Sequence, residues 1–544
     1  MEKVVVVGSG IAGLSCAIRC AGHGIQVILV SPFPSERSQS VMAAGGINAV
    51  TADHEPGDSV AAHIEDTLKG GCYLAGRTAV TGLCSHAGEI LGYLEKIGTV
   101  FSVNENGRPM RRAFGGQSFK RTHFCGSGTG KLIVSALVME ARRLEAEGLI
   151  TRMLRQRFYS ALIHDGVCRG VLLFDEHTNC LHPVYADAVV MATGGQNALF
   201  GKTTGSTQCD GYAAGMLFLQ GAQLKNLEFI QYHPTTMETP QKRMLISEAV
   251  RGEGGRLFYQ EGGRRVYFME DKYGKNGNLM TRDVISREME ACGHDVFLDI
   301  SFLDRKTIDS RLGEVRDLCM KYGNLDITRS PIPVAPSVHF FMGGLAVHLN
   351  HETNLRNLFA VGECASMYHG ANRLGGNSLL SAIYSANVAA DEISGRSSDA
   401  DSHDFTEEIN DRQKKMDEKL ASQSRFPSVY VRNMLSDTMR RNLGIVREEG
   451  SLGKGIGELD YYISVADQIR YDSSVNPYDN YSLNGILALA RATLECALLR
   501  KESRGSHFRS DYPETDDSQA FSSLISYDGG KYTIHPDKEF FYES

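Results

Sequence analysis

The 544-residue sequence predicts an α/β protein in which a domain built on a parallel sheet is interrupted by an α+β insertion and followed by a helical domain. Three observations support this fold class. A β-branched strand, a glycine-rich turn, a helix and a second strand follow one another in residues 3–30. Strands that end in glycine recur near residues 193 and 362, so distant segments return to one sheet. Residues after about 404 show helical apolar spacing with charged faces.

The composition excludes several classes of protein. The chain is 42% hydrophobic and 22% charged, which is typical of a soluble globular protein, and its length favours two or three domains. A net charge of −8 offers no basic face, so nucleic acid is not the expected partner. No window approaches the roughly 18 apolar residues of a membrane span, so no direct membrane insertion is expected. The first strand begins at Val4, and we expect a cytoplasmic protein whose membrane association, if any, comes through partner subunits.

The first βαβ unit predicts a dinucleotide site of the Rossmann-like type. Gly8, Gly10 and Gly13 form a G-x-G-x-x-G turn between the first strand and a helix rich in Ala, Leu and Ile. These glycines would allow the tight turn, the approach of backbone amides to a pyrophosphate, and close packing of the helix on the strand. Ser31 occupies the position at the end of the second strand where a ribose-binding acid is usual, which makes a nicotinamide nucleotide doubtful.

Two later segments resemble further parts of a flavin site. One strand ends in Thr193-Gly194-Gly195, and another ends in Gly362-Glu363, which places a carboxylate where it could bind a ribose hydroxyl. The return of distant segments to one nucleotide implies an inserted domain between them. The predicted organisation is an FAD-binding domain at 1–232 and 340–398, a capping domain at 233–339, a Ser/Asp-rich linker at 394–405, a helical domain at 404–505 and a surface-wrapping tail without strong periodicity at 506–544.

Five separate segments carry cationic or hydrogen-bonding side chains beside glycine or proline turns. Together they are enough to hold two carboxylates, since arginine pairs with carboxylates in a bidentate geometry. Structural roles are also possible, because Arg282 could pair with Asp283 or Glu288 and a lone histidine is often structural. The candidates are His233, Ser247, Glu248, Arg251, Arg282, His339 and Arg373.

The twelve cysteines give no metal-binding spacing. Cys16 and Cys20 are four apart on the first helix, and no C-x-x-C pair occurs. We expect reduced core thiols and no metal site, so any iron–sulfur cluster would belong to another subunit.

The motifs together are similar to those of the flavoprotein subunits of succinate dehydrogenases and fumarate reductases, a family that also includes L-aspartate oxidase. The likeness covers nearly the whole chain. The motifs that carry it are GSGIAGLSCAI, AAGGINAV, RAFGGQS, ATGG, EFIQYHPTTM, EAVRGEGG, TRDVIS, HFFMGGL, GECASMYHGANRLGGNSLL and KESRGSHFRSDYPETDD.

The resemblance implies a role for each candidate. His233, Ser247, His339 and Arg373 would clamp the carboxylates of fumarate or succinate, with Phe114 packing on the substrate. Arg282 would donate the proton in fumarate reduction, resupplied through Glu248 and Arg251, while FAD provides the hydride. The implied FAD-binding residues are Gly8, Gly10, Ala12, Gly13, Ser31, Ser38, Gln39, Gly45, Gly46, Thr193, Gly194, Asp210, Glu363, Asn377, Ser378 and Leu379.

Two positions depart from the pattern of the family. Gln39 stands where the family has the histidine that bonds covalently to FAD, so FAD is expected to bind noncovalently. Ala44 replaces a residue that is often Gln or Glu, which removes a polar contact near the flavin and substrate.

The resemblance leaves three enzymatic alternatives. The leading one is a fumarate reductase or succinate dehydrogenase subunit, with fumarate reduction favoured and an iron–sulfur subunit as partner. The second is L-aspartate oxidase, whose flavin is also noncovalent. The third is a reductase of another unsaturated acid, because Ala44 could enlarge the pocket.

The first testable prediction concerns the attachment of the flavin. We expect FAD to appear in the supernatant after acid precipitation of the protein, because the glutamine side chain of Gln39 cannot form the histidyl bond. A polypeptide band that fluoresces yellow after denaturing electrophoresis would contradict this expectation.

Overall fold

The computed structural model describes residues 1–126, 128–240, 242–398, 403–421, 426–470 and 477–538. The predicted linker at 394–405 and the predicted tail therefore lie partly outside the described residues, at 399–402 and 539–544. The strands, numbered in chain order, are β1 Lys3–Val7, β2 Gln26–Ser31, β3 Ile47–Asn48, β4 Arg111–Arg112, β5 Thr122–His123, β6 Ile150–Leu154, β7 Gln156–His164, β8 Val167–Asp175, β9 Leu181–Tyr185, β10 Ala188–Met191, β11 Leu224–Lys225, β12 Ile230–Glu238, β13 Arg243–Leu245, β14 Arg256–Glu261, β15 Arg264–Val266, β16 Val296–Asp299, β17 Ile332–Phe341, β18 Gly344–Ala346, β19 Leu358–Ala360, β20 Ala365–Ser366, β21 Phe426–Pro427, β22 Val446–Arg447, β23 Ile469–Arg470, β24 Phe508–Arg509, β25 Ser522–Asp528 and β26 Lys531–Asp537.

The helices surround these strands and dominate the region after residue 403. They are α1 Ile11–Gly22, α2 Val60–Gly70, α3 Arg77–Ser85, α4 Ala87–Lys96, α5 Thr129–Ala146, α6 Tyr212–Leu219, α7 Ala249–Gly252, α8 Phe268–Tyr273, α9 Arg282–Ala291, α10 Arg305–Arg311, α11 Gly313–Gly323, α12 Asn377–Ser394, α13 Thr406–Ala421, α14 Ser428–Asn442, α15 Glu449–Val465, α16 Pro477–Tyr481 and α17 Leu483–Leu499.

A five-stranded parallel sheet forms the centre of the first domain. Its strand order is β19-β10-β1-β2-β6, and every neighbouring pair is parallel. Helices α1 and α5 and the antiparallel sheet β7-β8-β9 pack against this sheet, so its central strands are buried, as in β10, where all four residues are buried. The N-terminal βαβ unit and the two later glycine-ended strands thus meet in one sheet. The predicted α/β fold class is confirmed.

The insertion has its own antiparallel sheet and its own hydrophobic core. The strand order is β13-β12-β17-β16-β14-β15, and the core includes Ile246, Leu257, Leu298 and Ile332. Strands β12 and β17 pair with each other and cross the predicted boundaries of the capping domain near residues 233 and 339. Both ends of the insertion therefore leave the first domain side by side; the domain boundaries themselves stay a prediction.

The helical region packs against the first domain through α17. Ten or more side chains of this helix are buried, including Ile486, Leu487 and Leu494. It approaches α6 so closely that a β-carbon at Gly215 would lie 1.9 Å from the carbonyl oxygen of Gly485. Only glycine allows backbones to come this close, so the contact fixes the position of α17 on the first domain.

The expectation for the tail is wrong for residues 522–537. Strands β25 and β26 form a hairpin around Gly529 and Gly530, both with positive φ, and β25 pairs with β11 in a sheet of order β20-β18-β11-β25-β26. Leu524 and Ile525 are buried in this sheet. The Asp-Gly-Gly turn lies between two segments in which apolar and polar residues alternate. This pattern is a hairpin signal, and helical periodicity does not reveal it.

Two further features bear on the predictions. No helix in the described part of the chain is both long and apolar enough to cross a bilayer. The cysteines are free thiols and most are buried, but Cys180 is exposed, so the expectation of core thiols fails at this position.

The contact between α6 and α17 gives the second prediction. Gly215→Ala should lower the midpoint of thermal unfolding, because the added methyl group overpacks a backbone contact at a cost of about 1 to 3 kcal/mol. The matched control is Gly92→Ala in α4, where a β-carbon would meet nothing within 4 Å. That variant should be stabilised by about 0.5 to 1 kcal/mol, since alanine is the better helix former. Circular dichroism would measure the midpoint of thermal unfolding of each variant. Equal shifts of the midpoint in the two variants would show that α17 is not held by this contact.

Candidate active site

Glycines at the carboxyl end of the parallel sheet open one long cavity. Gly8 has φ +107, and a β-carbon there would lie 2.2 Å from the carbonyl oxygen of Ala192. At Gly13 the β-carbon would lie 1.8 Å from the carbonyl oxygen of Gly8, which allows α1 to start directly against the turn. Gly10 lies on the cavity wall, opposite the Ser40 hydroxyl. The helix N-terminus and the bare backbone form a cradle suited to a pyrophosphate.

The polar atoms of this cavity fit the expected FAD. The Ser38 hydroxyl and the side-chain oxygen Oε1 of Gln196 are buried on its wall and have no hydrogen-bond partner among the described residues. Buried polar atoms are usually paired, so these two are suited to contacts with a ligand. Two carboxylates, Asp210 and Glu363, also line the cavity and could accept ribose hydroxyls. Burial raises the pKa of Glu363 to about 7, and its Oε1 accepts the N–H of Phe341 at 3.1 Å.

Most of the predicted FAD-binding residues lie on this cavity, and two do not. Gly13 packs inside the turn, as described above. Asn377 accepts a hydrogen bond from Asn48 Nδ2 at 2.7 Å and donates to the Thr67 hydroxyl at 3.0 Å, so its side chain belongs to a buried network behind the wall. The predicted residues on the cavity are Gly8, Gly10, Ala12, Ser31, Ser38, Gln39, Gly45, Gly46, Thr193, Gly194, Asp210, Glu363, Ser378 and Leu379.

The two positions that depart from the family pattern also lie on the wall. Gln39 begins a short 3-10 turn, Gln39–Met42, and is partly buried. The next residue, Ser40, accepts the N–H of Ile11 at 3.1 Å, which joins this turn to the start of α1. Ala44 is partly buried beside the paired glycines and offers no polar side-chain atom.

At the far end of the cavity lies a group of buried side chains that we call the arginine cluster: Arg282, Arg373 and Glu248 on the cavity wall, with Arg251 and Gln231 beside it. Arg282 donates through Nε to Glu248 Oε2 at 3.0 Å and through Nη1 to Gln231 Oε1 at 2.9 Å. Arg373 Nη2 donates to the same Gln231 oxygen at 3.0 Å. One amide oxygen therefore holds two guanidinium groups in fixed positions.

Glu248 is the carboxylate of this cluster, and it pairs with Arg282 and Arg251. Its Oε1 accepts the N–H of Gly115 at 2.8 Å and lies 3.9 Å from Arg251 Nη2. Burial opposes its charge, but Arg282 and Arg251 outweigh burial and lower the pKa of Glu248. Arg251 does not line the cavity; its Nη1 donates to the carbonyl oxygen of Asn278 at 2.7 Å. Glu248 thus lies between a guanidinium on the cavity and one behind it.

Arg251 and Arg282 pair with Glu248, whereas Arg373 is the arginine of the cluster that forms no ion pair among the described residues. Burial first, and then the nearby charge of Arg282, lower its pKa well below the usual range. Its Nε has no hydrogen-bond partner among the described residues, and its guanidinium lies 4.3 Å from the centre of the Phe340 ring. A bound anion would supply the missing partner, because a buried charge is costly until it is paired.

Two histidines face each other beside the cluster as neutral groups. The ring centres of His233 and His339 are 5.2 Å apart. Burial, followed by the charge of Arg282, lowers both pKa values well below the usual range. The Thr204 hydroxyl lies 2.9 Å from His339 Nδ1, which leaves Nε2 of that ring for other partners. Neutral rings can donate hydrogen bonds without adding positive charge.

The remaining predicted substrate residues complete this end of the cavity. Phe114 packs against the backbone at Gly45 and Gly375, where added β-carbons would lie 3.3 and 3.0 Å from its ring. Ser247 is buried, lines the cavity, and accepts the N–H of Ala249 at 3.3 Å. The structure therefore brings all five predicted substrate residues to one cavity. Within the described residues, no group of His, Cys, Asp and Glu is arranged to hold a metal ion.

Sequence reasoning missed some side chains on or beside the cavity. Gln231 lies in the motif EFIQYHPTTM, two residues before His233, so alternation along β12 could have placed it beside the arginines. Arg157 and Tyr478 lie near the end of β2, but their segments carry no glycine signal and are distant in the sequence.

Comparisons with known proteins cover nearly the whole chain. Residues 3–379 match the family described as FAD binding domain, and residues 432–538 match the family described as fumarate reductase flavoprotein C-term. The succinate dehydrogenase flavoprotein subunit of Bacillus subtilis is 36% identical, with 96% of this chain and 94% of the relative covered. The 8-methylmenaquinol:fumarate reductase flavoprotein subunit of Wolinella succinogenes is 34% identical, covering 96% and 88%. A structure of mutant E. coli quinol fumarate reductase matches with a TM-score of 0.90 at 28% identity, covering 99% of this chain and 97% of that chain.

The third prediction tests whether Arg373 binds an anion. Arg373→Gln should weaken the binding of malonate roughly tenfold to a hundredfold, because hydrogen bonds to charged groups contribute about 1.5 to 3 kcal/mol. Isothermal titration calorimetry would measure the dissociation constant. The matched control is Arg256→Gln, which removes a guanidinium paired with Glu270 outside the cavity. An unchanged malonate affinity in the Arg373 variant would make this residue a structural member of the cluster.

Proposed function

Because the chain belongs to the family of succinate dehydrogenase and fumarate reductase flavoprotein subunits, and is therefore an FAD-dependent oxidoreductase acting on CH–CH groups, we propose that it reduces fumarate to succinate. The observation that carries this proposal is the arginine cluster. Three guanidinium groups and one carboxylate leave two net positive charges, which matches the two negative charges of a dicarboxylate. A substrate with one carboxylate would leave one positive charge unmatched.

The substrate residues would hold the dicarboxylate at two ends. Arg373 takes one carboxylate through Nε, which has no hydrogen-bond partner among the described residues. His233, Ser247 and His339 donate hydrogen bonds, and the phenyl ring of Phe114 packs on the hydrocarbon part. Two fixed ends orient the double bond relative to the flavin and to Arg282, which lowers the entropic part of the barrier.

Arg282 would donate the proton to the substrate, and FAD supplies the hydride when bound. Its guanidinium lines the cavity and contacts Glu248, which in turn lies near Arg251. This arrangement supports resupply of the proton along Arg251, Glu248 and Arg282. Arginine is an unusual acid, but a buried guanidinium beside a developing carbanion both stabilises the charge and provides the proton.

Gln39 supports fumarate reduction as the favoured direction. The family's histidyl attachment raises the flavin potential, and a flavin held without it gives electrons to fumarate more readily than it takes them from succinate. The relatives reported above are named as subunits, and we propose an iron–sulfur subunit as the electron-carrying partner, through which the chain would reach a membrane.

Ala44 supports a second candidate, the reduction of another unsaturated dicarboxylic acid. The alanine removes bulk and polarity beside Gly45, where the substrate would meet the flavin. The substrate pocket beside Ala44 would then accept an unsaturated acid that carries a substituent absent from fumarate.

The fourth prediction is that Arg282→Ala lowers kcat for fumarate about 10²- to 10⁴-fold, the usual loss when a proton donor is removed. FAD content and malonate affinity should change little, because the residue acts mainly in the transition state. Reduced viologen serves as the electron donor. The matched control is Arg287→Ala, five residues further along α9, whose guanidinium lies 5.0 Å from the Phe508 ring and outside the cavity.

The outcomes of this assay separate the alternatives. Retention of more than about a tenth of kcat in the Arg282 variant would mean that another group donates the proton. Succinate oxidation by the unmodified protein as fast as fumarate reduction would reject the proposed direction. Aspartate oxidation faster than both would identify an L-aspartate oxidase instead.

A further inference from the structure

The cavity has a wall that comes from the helical region, far from the glycine turn in sequence. Tyr478 in α16 lines the same cavity as Gly8 and Asp210. Its hydroxyl donates to Asp210 Oδ2 at 2.8 Å, while Asp210 Oδ1 accepts the N–H of Tyr212 at 3.0 Å. Each carboxylate oxygen is thus held by one protein donor and keeps a lone pair for another donor.

Aromatic and guanidinium groups form the rest of this wall. The guanidinium of Arg157 lies between two rings, 4.1 Å from the centre of Tyr478 and 5.3 Å from the centre of Phe33. Phe33 follows Ser31 at the end of β2, and all of these residues line the cavity. Such planar, stacked groups are suited to a heterocyclic base, whereas a pyrophosphate needs N–H donors.

The position of the wall identifies which half of the dinucleotide it meets. In a βαβ unit the pyrophosphate lies on the first turn and the adenosine ribose lies at the end of the second strand. Ser31 is at that end here. Its hydroxyl accepts a hydrogen bond from the Ser9 hydroxyl and donates one to the carbonyl oxygen of Phe33, so no acid is present at this position to bind a ribose. Asp210, held by Tyr478, is a carboxylate that can take this role.

The helix that carries Tyr478 is fixed by the helical region itself. Arg432 in α14 donates through Nε to the carbonyl oxygen of Asp479 at 3.0 Å. The Ser428 hydroxyl, also in α14, donates to Asn480 Oδ1 at 2.5 Å. A shift of α14 would therefore move Tyr478 away from Asp210 and open this end of the cavity.

We propose that Tyr478 is an FAD-binding residue contributed by the helical region: its hydroxyl orients Asp210 toward the adenosine ribose, and its ring forms, with Arg157 and Phe33, the adenine pocket. FAD binding and docking of the helical region are then thermodynamically linked, since a ligand stabilises the arrangement to which it binds. This inference concerns the cofactor alone and does not depend on which acid is reduced.

The fifth prediction is that Tyr478→Phe speeds the release of FAD from the holoprotein about tenfold or more, as expected for loss of a hydrogen bond to a charged group. Flavin fluorescence after dilution measures the release. The matched control is Tyr481→Phe in the same helix. Its hydroxyl is buried, has no hydrogen-bond partner among the described residues and does not line the cavity, so FAD release should not change.

Two further measurements distinguish a binding role from a structural one. Tyr478→Phe should lower the thermal midpoint of the deflavinated full chain less than that of the holoprotein, so the gain in midpoint on adding FAD should be smaller in the variant. FAD should also slow amide hydrogen exchange in residues 428–442 and 477–481, and less so in the variant. In an Asp210→Ala background, Tyr478→Phe should have little additional effect on FAD release, because Asp210→Ala already removes the acceptor of the Tyr478 hydroxyl.

The opposite results would overturn the proposal. FAD release that is unchanged by Tyr478→Phe would show that the hydroxyl does not act on the cofactor. A deflavinated variant that melts lower by as much as the holoprotein does would make Tyr478 a structural residue. Fully additive effects of the two substitutions would separate Tyr478 from Asp210.

Discussion

The rest of the structure depends on keeping three guanidinium groups buried next to one another. Arg251, Arg282 and Arg373 are each less than a tenth exposed, and Glu248 pairs with Arg251 and Arg282 but not with Arg373. Neighbouring positive charges repel strongly in a medium of low dielectric constant, so hydrogen bonds and packing must keep the three guanidinium groups in place. Gln231 does so with one oxygen, which receives hydrogen bonds from two of the three. The three positive charges therefore repel one another, and a bound dianion would offset this repulsion.

The two domains share the task of holding these charges. Arg282 begins α9 in the insertion, whereas Arg373 lies in the turn before α12 of the first domain. Gln231 is on β12, which runs from one domain into the other and pairs with β17, the strand that returns. Because the paired strands connect the domains beside the site, a movement of the insertion would separate the arginines from each other. Binding of a dicarboxylate and closure of the insertion should accordingly favour each other.

The C-terminal segment supports the same turn from behind. The Ser506 hydroxyl donates to the carbonyl oxygen of Ala371 at 2.9 Å, two residues before Arg373. Gly505 has φ +55, and a β-carbon there would lie 2.6 Å from the same oxygen, so a larger residue would push the turn away. Behind Ser506, Arg500 and Glu502 form a fully buried ion pair at 3.0 Å. The motif KESRGSHFRSDYPETDD thus supports the turn that carries Arg373, although it lies far from that turn in the sequence.

Local patterns predicted the parts of the protein that are local in origin. The turn at Gly8, the strands of the parallel sheet and the polar segments around His233, Ser247 and Arg373 could be found because each carries its own glycine or proline signal. Asn377 shows the limit of this reasoning: it follows the glycines that line the cavity, yet its side chain turns into a network with Asn48 and Thr67. Neither helix propensity nor a turn signal determines the direction of a side chain at the start of a helix.

The residues that sequence reasoning could not find are those whose meaning depends on a distant partner. Gln231 matters because two arginines meet at its oxygen, and Tyr478 matters because Asp210 lies opposite its hydroxyl. The histidines show the same dependence in their charge. An isolated histidine titrates near neutral pH, but burial and the adjacent Arg282 keep His233 and His339 neutral. The cluster and the two rings therefore keep two net positive charges rather than four, and this balance, which no single segment encodes, supports the proposed binding of a dicarboxylate.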